Sequence, residues 1–223
     1  MSHPAYVSPA PSPTARSVEA LVASRAGRPR DDFTSDLLLA RDGDLSALSH
    51  QEVTQIVYEL LFAGHETTTG LIGNALRRLL TERPAWAEIC RDPSLIPNAV
   101  EEVLRFDSSV IAWRRRTTEA VEIGGVPVPA DANLLLLLGS ANRDPAVFED
   151  PDHFDIHRPN AKEHLSLGHG AHYCLGAPLA RLEAQVAIGA LVQRASHLEL
   201  ATSALQWRES STLRGLKTLP VTL

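Results

Sequence analysis

The ten residues Leu167-Gly168-His169-Gly170-Ala171-His172-Tyr173-Cys174-Leu175-Gly176 stand directly before an apolar helical pattern, and their reading decides what kind of protein this is. Gly168, Gly170 and Gly176 let a backbone fold tightly and approach a flat ligand with no Cβ in the way. Cys174 lies just ahead of a helix that Pro178 starts, where unpaired N–H groups and the helix dipole favour a thiolate. A thiolate in that position binds soft metals or haem iron. The plainer alternative is a loop holding an inert cysteine. A zinc site on His169, His172 and Cys174 with a carboxylate is a further one, although no complete C-x₂₋₄-C or H-x₃₋₅-H pairing is present.

After this stretch, Leu179, Leu182, Val186 and Ala190 set the apolar stripe of the last strong helix, and short strands are expected at the C-terminus. Before it, residues 142–174 are rich in Pro, Asp, His and Gly without periodicity, and irregular segments of that length tend to be functional. The strongest helix begins at Ser49. Ser49 and Glu52 form a capping-box pattern, with Leu48 and Val53 as its hydrophobic staple. Apolar residues recur from Val53 through Ile56, Val57, Leu60 and Leu61, then from Leu71 through Leu80, a stripe held to just before Pro84. Its centre, Ala63-Gly64-His65-Glu66-Thr67-Thr68-Thr69-Gly70, collects poor helix formers, so kinks or π-bulges are expected there. An acid beside an alcohol, Glu66-Thr67, is also the pairing needed to relay protons, against the ordinary reading of a solvated polar face.

Pro84 opens a short helix to Arg91, and a further helix covers residues 94–106 with Ile96, Ala99, Val100, Val103 and Leu104 on its buried stripe. On that helix Glu102 and Arg105 stand at i,i+3, which alone reads as a common surface ion pair. A β section follows over 110–116, with a hairpin of 121–123 and 126–128 around Gly124-Gly125. Residues 134–138 fit helix or strand. Residues 1–17 carry four prolines among Ser and Ala and read as a flexible tail. An amphipathic piece is expected over 18–25, and Asp32 caps a helix over 33–40.

Composition narrows the function classes. The chain has 223 residues, 44% apolar and 22% charged, which excludes a disordered or fibrous protein and allows one large or two small domains. A net charge of −6 argues against nucleic acid as the main partner. The longest apolar run, 134–138, is far short of the roughly 20 residues of a membrane span. Two cysteines cannot form a disulfide framework, and a cytoplasmic protein is expected.

Taken in order, AGHETT at 63–68, EEVLR at 101–105, ANRDP at 141–145, FDIHRPN at 154–160 and LGHGAHYCLGAPLARLE at 167–183 resemble the cytochrome P450 family of the soluble bacterial type. The resemblance covers about residue 20 to the C-terminus and matches the carboxy-terminal half only; the amino-terminal half is absent. It implies a mainly α fold with small β sheets, a flexible tail over 1–17 and a partial haem-binding domain over 18–223. It implies haem b, with Cys174 as the axial ligand of the iron and Gly168, Gly170 and Gly176 shaping its loop. Gly64 would open the long helix above the iron, and Glu66 and Thr67 would be the catalytic acid–alcohol pair. Arg114 and His172 match positions whose cations bind haem propionates. Glu102 and Arg105 would be a structural pair behind the Cys loop, with His153, or Arg158 in its place, as third member.

The implied activity is a monooxygenase that inserts one oxygen atom of O₂ into a small organic substrate. Electrons would come from a ferredoxin-type or similar reductase docking with the help of Arg181, Arg115 and Arg116. The competing reading is a truncated, catalytically inactive P450-like protein or partner subunit, which leaves room for a complementing chain. Exposed apolar surface on the long helix, at Ile56, Leu60 and Leu71, would be its sign. A zinc hydrolase on His169, His172 and Cys174 is the third.

Overall fold

A computed structural model describes residues 12–43 and 48–223, which divide into two compact units, Met1–His65 and Glu66–Leu223. Most of the expected tail, residues 1–11, lies outside the described residues. Its last part does not behave as tail: helix α1 runs Pro13–Gly27, starting before the expected 18–25 segment. The reason is local, since the Ser12 hydroxyl oxygen accepts from the Ala15 N–H and Pro13 fits the first turn. Helix α2, Phe33–Gly43, is capped by Asp32, whose carboxylate accepts from the Ser35 N–H at 2.9 Å.

Helix α3, His50–Thr81, opens with the expected capping box. The Ser49 N–H donates to Glu52 at 2.6 Å, and the Glu52 N–H donates back to the Ser49 hydroxyl at 3.2 Å. In the first unit Val18, Val22, Leu38 and Val53 form a small core, with Leu48 packed on it as the staple requires.

The middle of α3 corrects one expectation. It stays α-helical through 63–70, with no π-helical turn. In the second unit packing supplies what propensity withholds: Thr68 is buried, and a Cβ on Gly70 would stand 3.1 Å from the Ser109 Cβ. Gly64 has no such reason, because a Cβ there would meet nothing within 4 Å.

The core of the second unit joins Leu71, Ala75 and Leu79 of α3 to α4 (Arg83–Arg91), α5 (Ile96–Phe106) and α7 (Ala177–Arg194). Helix α5 is its axis, with Val100 and Val103 fully enclosed and Glu101, Glu102 and Arg105 also buried. Among the described residues the strands form three two-stranded antiparallel sheets. Strand β1 (Trp113–Arg116) pairs with β4 (Asn133–Leu136), β2 (Val121–Ile123) with β3 (Val126–Val128), and β5 (Glu199–Leu200) with β6 (Val221–Thr222). The β2–β3 turn needs its two glycines, since Gly124 and Gly125 have φ of 57° and 79°, both in the left-handed region. Residues 134–138 resolve as strand and then a short helix, α6 (Leu138–Ala141).

Helix α7 overturns the expected stripe. Ala177, Ala184, Ile188 and Val192 are buried, whereas Leu179, Leu182 and Val186 are exposed. The helix is apolar on both sides, and α5 covers the small-residue side. Among the described residues no helix is long and apolar enough to cross a membrane.

Candidate functional site

Cys174 sits at the end of the irregular segment, half-buried, with its N–H donating to the Leu167 carbonyl at 2.9 Å. That bond closes 167–174 into a ring. Gly168 (φ 79°) and Gly170 (φ 73°) take left-handed conformations that any Cβ would strain. Space beside Gly170 and Gly176 is open, since a Cβ on either meets nothing within 4 Å. The Sγ atom makes no hydrogen bond to any described residue, and Leu175 beside it is 85% exposed. His169, His172 and Cys174 do not converge: among the described residues no three His, Cys, Asp or Glu side chains form a group able to hold a metal ion. The zinc arrangement therefore has no geometric basis.

Behind the loop the Glu102–Arg105 pair proves to be core, not surface. Both side chains are fully buried, and Arg105 grips Glu102 with Nε to Oε2 and Nη2 to Oε1, each at 2.7 Å. The remaining guanidinium donors reach the carbonyls of Asn142 (3.0 Å), Pro151 (2.8 Å) and His153 (3.0 Å). The third member is Arg158, whose Nε lies 3.2 Å from Glu102 Oε2 and whose other nitrogens donate to the carbonyls of Glu149, Asp150 and His153. His153 contributes only that carbonyl; its imidazole is exposed. The Asp155 N–H completes the carboxylate at 2.9 Å. A carboxylate and two guanidiniums thus organise irregular chain that has few ladder bonds of its own.

Asn142 carries this order into the loop. Its Nδ2 donates to the Ser166 hydroxyl at 2.7 Å, its Oδ1 accepts from the Leu165 N–H at 2.7 Å, and Ser166 in turn donates to the Leu104 carbonyl at 2.5 Å. A second buried carboxylate, Glu101, meets Arg181 of α7 (Nε to Oε1, 2.6 Å) and His164 (Nε2 to Oε2, 3.2 Å). Burial pushes the Glu101 carboxyl up, but hydrogen bonds from His164 and Arg181 outweigh it and hold it down at about 2. The same carboxylate holds the Arg181 guanidinium above its ordinary value. The sequence reading missed Glu101, His164, Asn142 and Ser166. A detectable signal was the acidic doublet Glu101-Glu102 on a helix whose apolar stripe leaves little room for solvated charge.

Arg114 on β1 and His172 in a turn of 3₁₀ helix are exposed, and neither side chain bonds to a described residue. Arg116 pairs with Asp131 at 3.2 Å. On α3, Glu66 is exposed and pairs with Arg208 at 3.2 Å, not with any group of the Cys174 loop; Thr67 is half-buried. Gly64 belongs to the first unit, Glu66 and Thr67 to the second. The expected apolar exposure on α3 is uneven: Leu60 is exposed, Ile56 half-buried and Leu71 enclosed.

The sequence model described as Cytochrome P450 matches residues 16–212. Cytochrome P450 107B1 of Saccharopolyspora erythraea is 47% identical over 205 residues, covering 90% of this chain and 50% of that protein. The 6-deoxyerythronolide B hydroxylase of the same organism is 45% identical over 205 residues, 91% of this chain and 50% of the relative. Among solved structures, cytochrome P450 CREJ in complex with (4-ethylphenyl) dihydrogen phosphate superposes with a TM-score of 0.91 at 42% identity, over 94% of this chain and 52% of that one. The chain spans about half the length of the curated relatives it matches. The mainly helical fold with small sheets, the Cys174 loop and these matches agree: the chain belongs to the cytochrome P450 family.

Proposed function

We propose that this chain carries the haem-thiolate half of a monooxygenase, which inserts one oxygen atom of O₂ into a small organic substrate with electrons from a ferredoxin-type or similar reductase. The observation that carries the reading is the Cys174 loop. It presents a lone sulfur, unbonded to any described residue, on a glycine-built ring beside open space and apolar side chains. That donor set fits haem b: one soft sulfur ligand, a backbone able to lie close to a flat ring, and exposed apolar Leu175 and Leu179 next along the chain. When bound, haem b supplies the reducible iron at which dioxygen is activated.

The chain's own residues do the rest. Cys174 would hold the iron through its sulfur. Arg114 and His172, exposed and with side chains bonded to no described residue, would hold the propionate carboxylates by charge-assisted hydrogen bonds. Gly64 keeps the α3 surface free of a side chain, as the open space around its missing Cβ allows. Glu66 and Thr67, adjacent on α3, would hold and deliver protons, with Arg208 paired to the Glu66 carboxylate at 3.2 Å. Glu102, Arg105 and Arg158 fix the loop from behind and do not touch the reacting atoms.

One observation favours a second reading, a catalytically inactive P450-like protein or partner subunit that works with a complementing chain. Leu175, Leu179, Leu182 and Val186 present an apolar stripe to solvent in a chain that spans half its relatives' length. Reconstitution with hemin followed by reduction under CO separates the readings. A thiolate-type Soret shift, lost in Cys174→Ser, supports haem-thiolate ligation, and its absence refutes it. Haem binding without oxygenation, under any reductase and substrate, favours the second reading.

A further inference from the structure

We propose that Glu101 is a positioning residue for Cys174: through His164 and Arg181 it ties both ends of the Cys174 loop to α5 and so fixes where the sulfur points. The proposal rests on the haem-thiolate reading for its purpose, though not for its geometry.

Glu101 is buried, and each of its oxygens is used. His164 stands ten residues before Cys174 and Arg181 seven after it, so one carboxylate grips both flanks of the loop. Arg181 spans the carboxylate with Nε to Oε1 at 2.6 Å and Nη2 to Oε2 at 3.1 Å. Its Nη1 then donates to the Tyr173 hydroxyl at 3.1 Å, on the residue next to Cys174. The contact to His164 has a fixed direction. The Ser166 N–H points at His164 Nδ1 (3.2 Å), so Nδ1 accepts and Nε2 carries the proton given to Glu101.

The neighbouring acid makes the division of labour plain. Glu102 reaches back, through Arg105 and Arg158, to carbonyls between Asn142 and His153, all ahead of the loop. Of the two acids, Glu101 is the one whose carboxylate bonds directly to side chains on both flanks of the loop, one of them on α7. Two adjacent carboxylates on one buried helix therefore anchor two successive lengths of irregular chain. A buried carboxylate stripped of its partners is costly, so the clamp also resists opening.

The test uses Glu101→Gln, which keeps shape and removes charge, and Arg181→Met, which keeps Glu101 and lies near the surface should the first variant fold poorly. Amide exchange is followed by mass spectrometry without added haem, and the reduced-CO spectrum is recorded after hemin reconstitution. The expected result is exchange about tenfold faster over 167–176 with α4 and the buried face of α5 unchanged. In the spectrum, part of the CO band should move from the thiolate to the neutral-thiol form. Unchanged loop exchange in both variants overturns the clamp. Equal acceleration across α4 and α5 overturns it too, because the role is then general stability. Faster loop exchange with an unaltered thiolate-to-thiol ratio refutes positioning of the sulfur. Should the wild-type chain show no thiolate band while its loop still loosens in the variants, the clamp stands and the haem reading falls.

Discussion

Replacing Arg158 by Met removes a guanidinium and keeps most of its stem, and the structure sets what that costs. The Arg158 nitrogens donate to the carbonyls of Glu149 at 2.6 Å, Asp150 at 3.1 Å and His153 at 2.9 Å, and Nε lies 3.2 Å from Glu102. His153 keeps a second donor in Arg105, and Glu102 keeps Arg105 itself, so not every contact is orphaned. Breaking one partner of a buried ion pair costs about 3–5 kcal/mol, and with the carbonyl losses only partly additive we take about 4 kcal/mol. In a unit of this size each kcal/mol moves the melting temperature by about 2–4 °C, which gives a drop of about 8–16 °C. His153→Ala is the control: its imidazole is exposed and its carbonyl survives the substitution, so it should stay within about 0.5 kcal/mol of the parent. Urea and thermal unfolding followed by far-ultraviolet circular dichroism and by Trp fluorescence measure both. If His153→Ala falls as far as Arg158→Met, or Arg158→Met loses less than about 1 kcal/mol, the assignment of Arg158 to the buried network is wrong.

Gly64→Ala should stabilise α3 by about 0.5–1 kcal/mol in urea unfolding, since its Cβ meets nothing and Ala is the better helix former. Gly70→Ala should destabilise, because its Cβ would press on Ser109 at 3.1 Å; equal responses at the two sites would show that packing does not separate them. Ser49→Ala should cost about 1 kcal/mol by removing one half of the reciprocal cap, and an unchanged urea midpoint would count against the cap. The Glu101 carboxyl is lowered from 4.5 to about 2 in the fold, so its contribution is complete above about pH 4.5 and is lost as pH falls toward 2. That contribution is about 3 kcal/mol, and urea midpoints from pH 7 to pH 3 should fall less steeply in Glu101→Gln; an identical acid limb in that variant would contradict it.

The local rules were legible wherever a short-range pattern decides structure. The Ser49–Glu52 box, the Asp32 cap, the Gly124-Gly125 hairpin and Pro84 opening α4 all stand as the sequence implies, because each depends on residues within a few positions of one another. What depends on three-dimensional neighbours was not legible. Glu102-Arg105 reads as a surface pair because i,i+3 spacing carries no information about burial, and only the resemblance raised it to a structural pair. Arg158 could not be told from His153, since both lie in irregular chain where no period assigns an inward face. Within the helical stretch 63–70, close packing marks only the carboxy-terminal part: Thr68 is buried and a Cβ at Gly70 would crowd Ser109 and Arg214, far along the chain. On α7 the larger residues, Leu179, Leu182 and Val186, suggested the buried side, whereas Ala184 and Ile188 take it because α5 packs against that side.

That reversal on α7 bears on function. Helix α7 is apolar on two sides, of which the fold covers one and leaves the other to solvent. Its outward stripe begins at Leu175, the residue after the proposed iron ligand, and continues through Leu179, Leu182 and Val186 at helical spacing. The loop and the stripe are continuous in the chain, so under the proposed reading a group seated on the Cys174 sulfur would lie near the first residues of the stripe. Covering the stripe and seating that group are then coupled: each removes apolar surface that the other leaves partly wet, and each is more favourable once the other has occurred. The anchors point the same way. Glu101 and Glu102 fix the loop from the α5 side, leaving the opposite side to be completed by what binds there. On the proposed haem-thiolate reading, the anchors on α5 set the sulfur's position, and covering the α7 stripe would strengthen the hold on haem.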